Sequence, residues 1–152
     1  MKRSKADIIY VLIQFVLFIL FILEIAQLRF VLPDIVSTVG IIGVFIGFII
    51  ILISLLQLNK YLSPFPSPKP GSSLIQNGLY KYIRHPMYTG ILMLLLGYSI
   101  YVSSGYKLLV TFLLFVLFTF KSRYEEERLA GSFKGYSGYK KKTGRFFPKI
   151  KV

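Results

Sequence analysis

Four long stretches of the sequence carry almost no charge. Residues 8–23 are apolar except for Gln14, and residues 35–58, 86–105 and 108–120 contain no charged side chain. A helix needs about 20 apolar residues to cross a bilayer, and only helices and closed barrels satisfy their backbone groups in lipid. The pattern therefore predicts an all-α integral membrane protein with about four transmembrane helices.

Proline and small polar residues indicate where these helices begin and end. We expect spans at about residues 8–28, 35–58, 86–104 and 107–121 within a single membrane domain, residues 1–152. Pro86 suits the first turn of a helix, where its missing N–H costs nothing. The gap between the last two spans is so short that they should form a tight helical hairpin. The fourth helix should continue to about residue 130, and residues 131–152 should form a cytoplasmic C-terminal cap.

The second span contains three glycines, and Gly43 and Gly47 match the small-xxx-small pattern. Such residues let helix backbones approach each other closely. We expect a packing seam within the monomer, with a dimer contact as the alternative; the sequence does not determine the oligomeric state.

Residues 63–71, here called the proline strap, have the sequence SPFPSPKPG. Alternating prolines forbid a helix and favour a stiff, extended chain. We therefore expect the proline strap to be a positioned connector, followed by a turn at Asn77-Gly78.

The positions of the basic residues along the chain are more informative than the net charge. The net charge is +13, and 17 of the 19 basic residues lie before the first span, between the second and third, or after the fourth. Such a bias places both termini and the long middle loop in the cytoplasm, next to anionic lipid headgroups. The placement argues against a nucleic-acid partner. The chain has no cysteine, which excludes disulfides, thiolate nucleophiles and sulfur metal sites.

Two polar clusters should meet at the cytoplasmic ends of the third and fourth spans. The first comprises Tyr80, Arg84, His85 and Tyr88, and His85 is the only histidine in the chain. The second is the charged segment 121–128, whose three consecutive glutamates are half of all acidic residues. Each cluster also has a simpler interpretation, as a surface ion pair, interfacial aromatics or a hydrogen-bonded structural histidine.

The ordered motifs around these clusters resemble one enzyme family. Residues 78–88 resemble the G-x-Y-x-x-x-R-H-P-x-Y signature of isoprenylcysteine carboxyl methyltransferases and related phospholipid methyltransferases. Residues 123–127 resemble the R-x-E-E element that follows it, and residues 136–139 and 145–148 resemble the closing Y-x-x-Y and R-F-x-P patterns. The resemblance implies a membrane enzyme that uses S-adenosylmethionine without a Rossmann domain, and the chain has no G-x-G turn of that kind.

The resemblance also implies roles for individual residues between about 72 and 148. Arg123 and Glu127 would be catalytic, with Arg123 facing the acceptor and Glu127 closing the cofactor site. Glu126 is an alternative for Glu127 in this register. The implied cofactor-binding residues are Ser73, Leu74, Ile75, Tyr80, His85, Pro86, Met87, Tyr88, Glu126 and Glu127.

These residue types suit the chemistry. A carboxylate can accept hydrogen bonds from cofactor hydroxyls or the amino group, and tyrosine faces attract a sulfonium cation. An arginine can hold a carboxylate or phosphate of a lipophilic acceptor in a forked geometry. An amine acceptor would also need a base, for which His85 or a glutamate is a candidate.

Several alternatives stay open at this point. The acceptor can be a prenylated cysteine, a phospholipid amine, or another lipophilic acid or thiol. An NADPH-dependent membrane reductase of the sterol-reductase type shares the R-H-P-x-Y pattern. A non-catalytic membrane adaptor, in which the charges only anchor the helices, is the third interpretation.

Overall fold

The computed structural model describes residues 4–23, 28–58, 63–67 and 71–149. Residues 24–27 of the first predicted span and 68–70 of the proline strap lie outside this description. Within the described ranges the chain is helical, with a 3₁₀ turn at Gly78–Lys81 and two isolated β-bridges but no strand. The five helices are α1 (Lys5–Ile22), α2 (Asp34–Leu58), α3 (Pro86–Tyr101), α4 (Gly105–Ser132) and α5 (Tyr136–Lys142).

Three of these helices, α1, α2 and α4, are each long and apolar enough to cross a bilayer. The fourth predicted span corresponds to α3, which is apolar but has only 16 residues. At 1.5 Å per residue it is about 24 Å long, which is shorter than a typical hydrocarbon core of about 30 Å. The α4 helix ends at Ser132, close to the end at about residue 130 that was predicted for the fourth helix.

The first predicted span ends earlier than expected. We predicted residue 28, but α1 ends at Ile22 because Leu23 adopts an extended conformation with ψ of 157°. At its other end α1 begins with a capping box, in which Ser4 and Asp7 satisfy each other's backbone N–H groups. This short helix leaves its last carbonyls available to a partner.

That partner is Lys107, near the start of α4. Lys107 is 5% exposed, and its ammonium donates to the carbonyls of Phe21 and Leu23 at 2.7 and 3.2 Å. A cation at a helix C-terminus is stabilised by the aligned peptide dipoles. Three residues, 102–104, separate α3 from α4, and Ser104 caps α4 by accepting a hydrogen bond from the Lys107 N–H. The helices are thus tied together at the end opposite to most of the basic residues.

The glycines of α2 form a seam with those of α3, within the monomer. A Cβ at Gly40 would meet the Gly97 carbonyl at 2.8 Å, and a Cβ at Gly47 would meet the Leu94 nitrogen at 2.5 Å. The atoms in the way are backbone, so the two helices touch along this line. On the other side of the bundle, α1 packs against α4 through the cluster Leu17, Phe21, Val110, Leu114, Leu117, Phe118 and Phe146.

The seam predicts a sharp difference between neighbouring glycines. Gly47→Ala should lower the free energy of unfolding by about 1–3 kcal/mol, because the added methyl group overpacks a backbone contact. Gly43→Ala should change it by less than about 0.5 kcal/mol, because the nearest atoms lie at 3.6 and 3.9 Å. Titration with SDS in mixed micelles measures both. Equal effects would show that α2 and α3 are not in backbone contact at Gly47.

Candidate functional site

The segment after α5 is joined to the segment before α3 by backbone hydrogen bonds. The N–H groups of Arg84 and His85 donate to the carbonyls of Gly144 and Arg145 at 2.9 and 3.1 Å, and the Gly144 N–H donates to Tyr82. The buried Tyr139 hydroxyl donates to the Tyr80 carbonyl at 2.6 Å. The predicted cap therefore lies directly on the R-H-P segment, which holds it at the entrance of α3.

Glu126 is the polar centre of this arrangement. Its side chain is 1% exposed, and its carboxylate is contacted by Arg84 Nε at 2.9 Å, Arg145 Nε at 3.1 Å and Lys140 Nζ at 2.9 Å. His85 Nε2 lies 3.4 Å from the same carboxylate. Arg84 also donates to the carbonyls of Lys140 and Thr143. One carboxylate of α4 thus binds both the start of α3 and the cap.

Glu125, the preceding residue, faces a different group. Its carboxylate accepts a hydrogen bond from the Tyr88 hydroxyl at 3.0 Å and lies 3.7 Å from His85 Nδ1. The His85 imidazole stacks on the Tyr88 ring with centroids 5.4 Å apart, and Phe118 stacks on the other side of Tyr88 at 4.5 Å. His85 is therefore held between two glutamates.

A cleft opens beside this histidine. Its sides come from the proline strap, from the segment before the 3₁₀ turn, from α4 and from α5. The lining residues are Leu58, Ser63, Phe65, Pro66, Ser67, Ser72, Ser73, Leu74, Ile75, Tyr80, Arg84, His85, Glu125, Leu129, Phe133, Tyr136 and Tyr139. A smaller recess shares Tyr80, His85 and Glu125 with the cleft and adds Met87 and Tyr88. The cleft is thus apolar on some sides and offers hydroxyls and charges on others.

The tyrosines of the cleft keep their phenol protons. Burial raises the pKa of Tyr139 to about 12, and it raises the pKa values of Tyr80 and Tyr136 further, with Glu125 and Glu126 adding to the effect. The buried Tyr136 hydroxyl and His85 Nε2 have no hydrogen-bond partner among the residues that the structure describes. Because His85 Nε2 faces the Glu126 carboxylate at 3.4 Å, the buried Tyr136 hydroxyl is the atom of this pair that has no polar partner among the described residues at the cleft.

A second cavity, of about 440 Å³, lies between α3 and α4. It is almost entirely apolar, and its lining residues are Thr89, Leu92, Met93, Leu96, Leu108, Thr111, Phe112, Phe115, Phe146 and Phe147. We call it the apolar groove. Phe146 separates it from the cleft, since its ring lies 6.3 Å from that of His85 and its carbonyl accepts a hydrogen bond from Thr89. The polar cleft and the apolar groove are therefore about one side chain apart.

The structure brings most of the predicted cofactor residues together. Ser73, Leu74, Ile75, Tyr80 and His85 line the cleft, and Met87 and Tyr88 line its recess. Pro86 is buried in the first turn of α3, where it starts the helix. Glu126 lies behind the cleft and holds its charged residues in place.

Two predicted catalytic residues lie elsewhere on α4. Glu127 is exposed, and Arg123 is exposed with its guanidinium 5.9 Å from the Phe120 ring. Neither residue lines the cleft or the apolar groove. The roles given to them by resemblance stay predictions.

Glu125 is a charged residue of the cleft to which no individual role was assigned from the sequence. The apolar periodicity of α4 contained the signal. The buried positions Val110, Leu114, Leu117, Lys121 and Ser122 form one helical stripe, and steps of three to four residues extend it to Glu125 and Glu126 rather than Glu127. The roles of Lys140 and Arg145 in binding Glu126 depend on how the cap folds back, which no local pattern indicates.

The comparison with known families identifies the family of this chain. The family model described as phospholipid methyltransferase matches residues 35–135, more than half of the chain. It confirms the family expected from the motifs. No curated protein matches the chain significantly.

The position of Glu126 predicts that it holds the cap closed. Glu126→Gln should destabilise the protein by about 3 kcal/mol, because it leaves the Arg84 guanidinium buried without its counter-charge. Trypsin should then cleave at residues 140–142 about tenfold faster or more, because the cap opens more often. Asp34→Asn is the control, since Asp34 is exposed at the start of α2. Unchanged cleavage in Glu126→Gln would show that the cap is held by other contacts.

Proposed function

We propose that this chain, which belongs to the phospholipid methyltransferase family, transfers a methyl group from S-adenosylmethionine to a lipophilic acceptor. The observation that carries the proposal is the adjacency of the polar cleft and the apolar groove across His85 and Phe146. A polar, charged cofactor and a hydrocarbon chain need surroundings of opposite character, and here both lie within reach of the same point.

The residues of the cleft fit the proposed cofactor. Tyr80, Leu74 and Ile75 offer apolar and aromatic surface for an adenine ring. Ser72 and Ser73 offer hydroxyls for the ribose. The Tyr136 hydroxyl, beside Arg84, offers a hydrogen bond to a carboxylate, and Glu125 offers an acceptor for an ammonium group.

When bound, S-adenosylmethionine supplies a methyl group on a sulfonium sulfur, which is already an activated leaving group. The protein then has to align the acceptor and keep water away. The stacked rings of His85, Tyr88 and Phe118 are held rigidly by Glu125 and by the core. Because Tyr88 lies between the other two rings, this stack fixes the position of His85 at the cleft, and Phe146 shields this point from the lipid side.

The apolar groove is the proposed seat of the acceptor's hydrocarbon part. Along α3 its lining runs from Thr89 to Leu96, which corresponds to about 10 Å of helix. A hydrocarbon chain lying there from the lipid side would direct its polar end towards Thr89 and Phe146. An amine at this end would need a base, and His85 lies between Glu125 and Glu126 as the candidate. A carboxylate at this end would need none.

We also propose that all four long helices cross the membrane, with the site on the cytoplasmic side. Lys107 ties the start of α4 to the end of α1, whereas Glu126, near the end of α4, meets the start of α3. The α3 helix must therefore run from one end of the bundle to the other. The distribution of basic residues favours the cytoplasm for the end that holds the site.

The proposed cofactor site predicts that substitutions of Glu125, which lines the cleft, and of Glu127, which is exposed, differ in their effect on ligand binding. Glu125→Gln should weaken the binding of S-adenosylhomocysteine about tenfold or more, since a carboxylate in the cleft loses its charge. Glu127→Gln should change the dissociation constant by less than about twofold, because exposed charges contribute little. Isothermal titration calorimetry of detergent-purified protein measures both.

The same titrations decide between the open alternatives. A larger loss of affinity in Glu127→Gln would assign the cofactor carboxylate to the residue expected from the resemblance. Binding of NADPH in place of S-adenosylhomocysteine would favour the reductase. Binding of neither ligand by folded wild type would favour the adaptor and contradict the proposed methyl transfer.

Filling the apolar groove should weaken the use of the acceptor without affecting the cofactor. Met93→Trp should fill the groove and raise the acceptor KM about tenfold or more, with little change in the affinity for S-adenosylhomocysteine. Leu109→Trp, on an exposed part of α4 outside the groove, is the matched control. Transfer of radiolabelled methyl groups to a prenylcysteine and to phosphatidylethanolamine, assayed in parallel, identifies the acceptor that is used. An unchanged KM in Met93→Trp would place the acceptor elsewhere.

A further inference from the structure

One side of the cleft is formed by a segment that cannot hold itself in place. The described part of the proline strap, residues 63–67, contributes Ser63, Phe65, Pro66 and Ser67 to the lining. Pro64 and Pro66 have no N–H, so this segment cannot form a regular backbone ladder with a neighbour. Within it, the Phe65 N–H donates to the Ser63 hydroxyl at 3.1 Å. Its position therefore depends on contacts to its carbonyls and side chains.

Two buried polar contacts supply this fixation. Lys121 of α4 donates from Nζ to the Pro64 carbonyl at 2.9 Å and to Gln14 Oε1 of α1 at 2.5 Å. At the other end of the segment, the Ser67 hydroxyl donates to Asp7 Oδ2 at 2.8 Å. Asp7 is fully buried and Lys121 is 1% exposed. A buried ammonium is costly unless it is hydrogen-bonded, so these contacts hold Lys121 and the strap in one arrangement.

Lys121 also lies next to the residues of the proposed active site. Its ammonium is 5.6 Å from the centroid of the Tyr88 ring, on which His85 stacks. Glu125 follows it by one helical turn on the same face of α4, and Glu125 lines the cleft opposite the strap. The contact to Pro64 therefore fixes the distance between the strap and the glutamate. The α1 helix, whose Gln14 accepts a hydrogen bond from Lys121, lies outside the family match.

We propose that Lys121 is a positioning residue for the cofactor: it holds residues 63–67 of the proline strap beside the cleft at the distance at which S-adenosylmethionine is bound. The proposal rests on the proposed function, since it assumes that the cofactor occupies the cleft. Lys121 acts through the Pro64 carbonyl and does not itself line the cleft. Without its ammonium, the Pro64 carbonyl and the Gln14 side-chain oxygen both lose this donor, and the strap is free to move away.

The chain contains a matched control for this substitution. Lys107 is also a buried lysine of α4, with 5% exposure, and its ammonium also donates to carbonyls, in this case those of Phe21 and Leu23. Lys107→Met and Lys121→Met thus remove equivalent interactions and should both reduce stability. Only Lys121 contacts the strap. A purely structural role for Lys121 predicts that the two variants behave alike in every measurement made on folded protein.

The first measurement is the affinity for S-adenosylhomocysteine by calorimetry, at a temperature where both variants are folded. Lys121→Met should raise the dissociation constant about tenfold, which corresponds to the loss of one hydrogen bond from a charged group. Lys107→Met should raise it less than about twofold, because its hydrogen bonds lie at the other end of the bundle. Lys121→Arg, which keeps a charged donor, should restore part of the affinity.

The second measurement is the accessibility of the strap to a thiol reagent. The chain has no cysteine, so Ser63→Cys introduces a single thiol into the strap. S-adenosylhomocysteine should slow the alkylation of this thiol by a maleimide. Lys121→Met should speed alkylation in the absence of ligand and weaken the protection by ligand, whereas Lys107→Met should do neither. If Lys121→Met does not fold, Lys121→Gln serves with the same expected results.

The outcomes separate this inference from the function on which it rests. Equal affinities and equal alkylation rates in the Lys121 and Lys107 variants, in protein whose wild type binds S-adenosylhomocysteine, would overturn the positioning role alone. A wild type that does not bind the ligand would contradict the proposed function. The alkylation rates without ligand then still decide whether Lys121 holds the strap, and unchanged rates in Lys121→Met would overturn that as well.

Discussion

The buried carboxylate of Glu126 is the interaction on which the polar end of this molecule depends. It lies on α4 and binds Arg84 from the segment before α3 together with Lys140 and Arg145 from the cap. The Glu126 carboxylate and the Arg84 guanidinium would each be expensive to bury alone; together they compensate one another. Because Glu126 fixes Arg84, it also fixes the adjacent His85, which lines the cleft and lies beside Phe146 of the apolar groove.

At each end of the helix bundle, a buried lysine of α4 donates hydrogen bonds to neighbouring segments. At the far end, Lys107 joins α1 to α4 with hydrogen bonds to the exposed carbonyls of a helix terminus. At the basic end, Lys121 joins α1 to α4 and also to the proline strap. Between them the helices pack through apolar side chains and a glycine seam, which provide little selectivity for any ligand. The polar contacts thus determine where a ligand can bind, and the apolar contacts hold the scaffold that presents them.

Much of this architecture could be predicted from local patterns. The uncharged runs located the helices, Pro86 marked the start of α3, and the glycines of α2 indicated a close helix contact, because each of these signals acts through its immediate neighbours. The end of α1 at Ile22 was not predictable, since apolar residues continue beyond it. The choice between Glu125, Glu126 and Glu127 required the phase of the buried stripe of α4. The contacts of Lys121 and Asp7 with the strap join residues about 60 positions apart, and only the folded chain brings these together.

The central claim is that a cofactor binds between the proline strap and α4, against His85 and Glu125. The most direct test is a crystal structure of the protein with S-adenosylhomocysteine bound. We expect density for the ligand in the cleft, with polar atoms of the ligand within hydrogen-bond distance of Glu125 and of the His85 or Tyr136 side chain. Density beside Arg123 and Glu127, or in the apolar groove with the cleft empty, would contradict it.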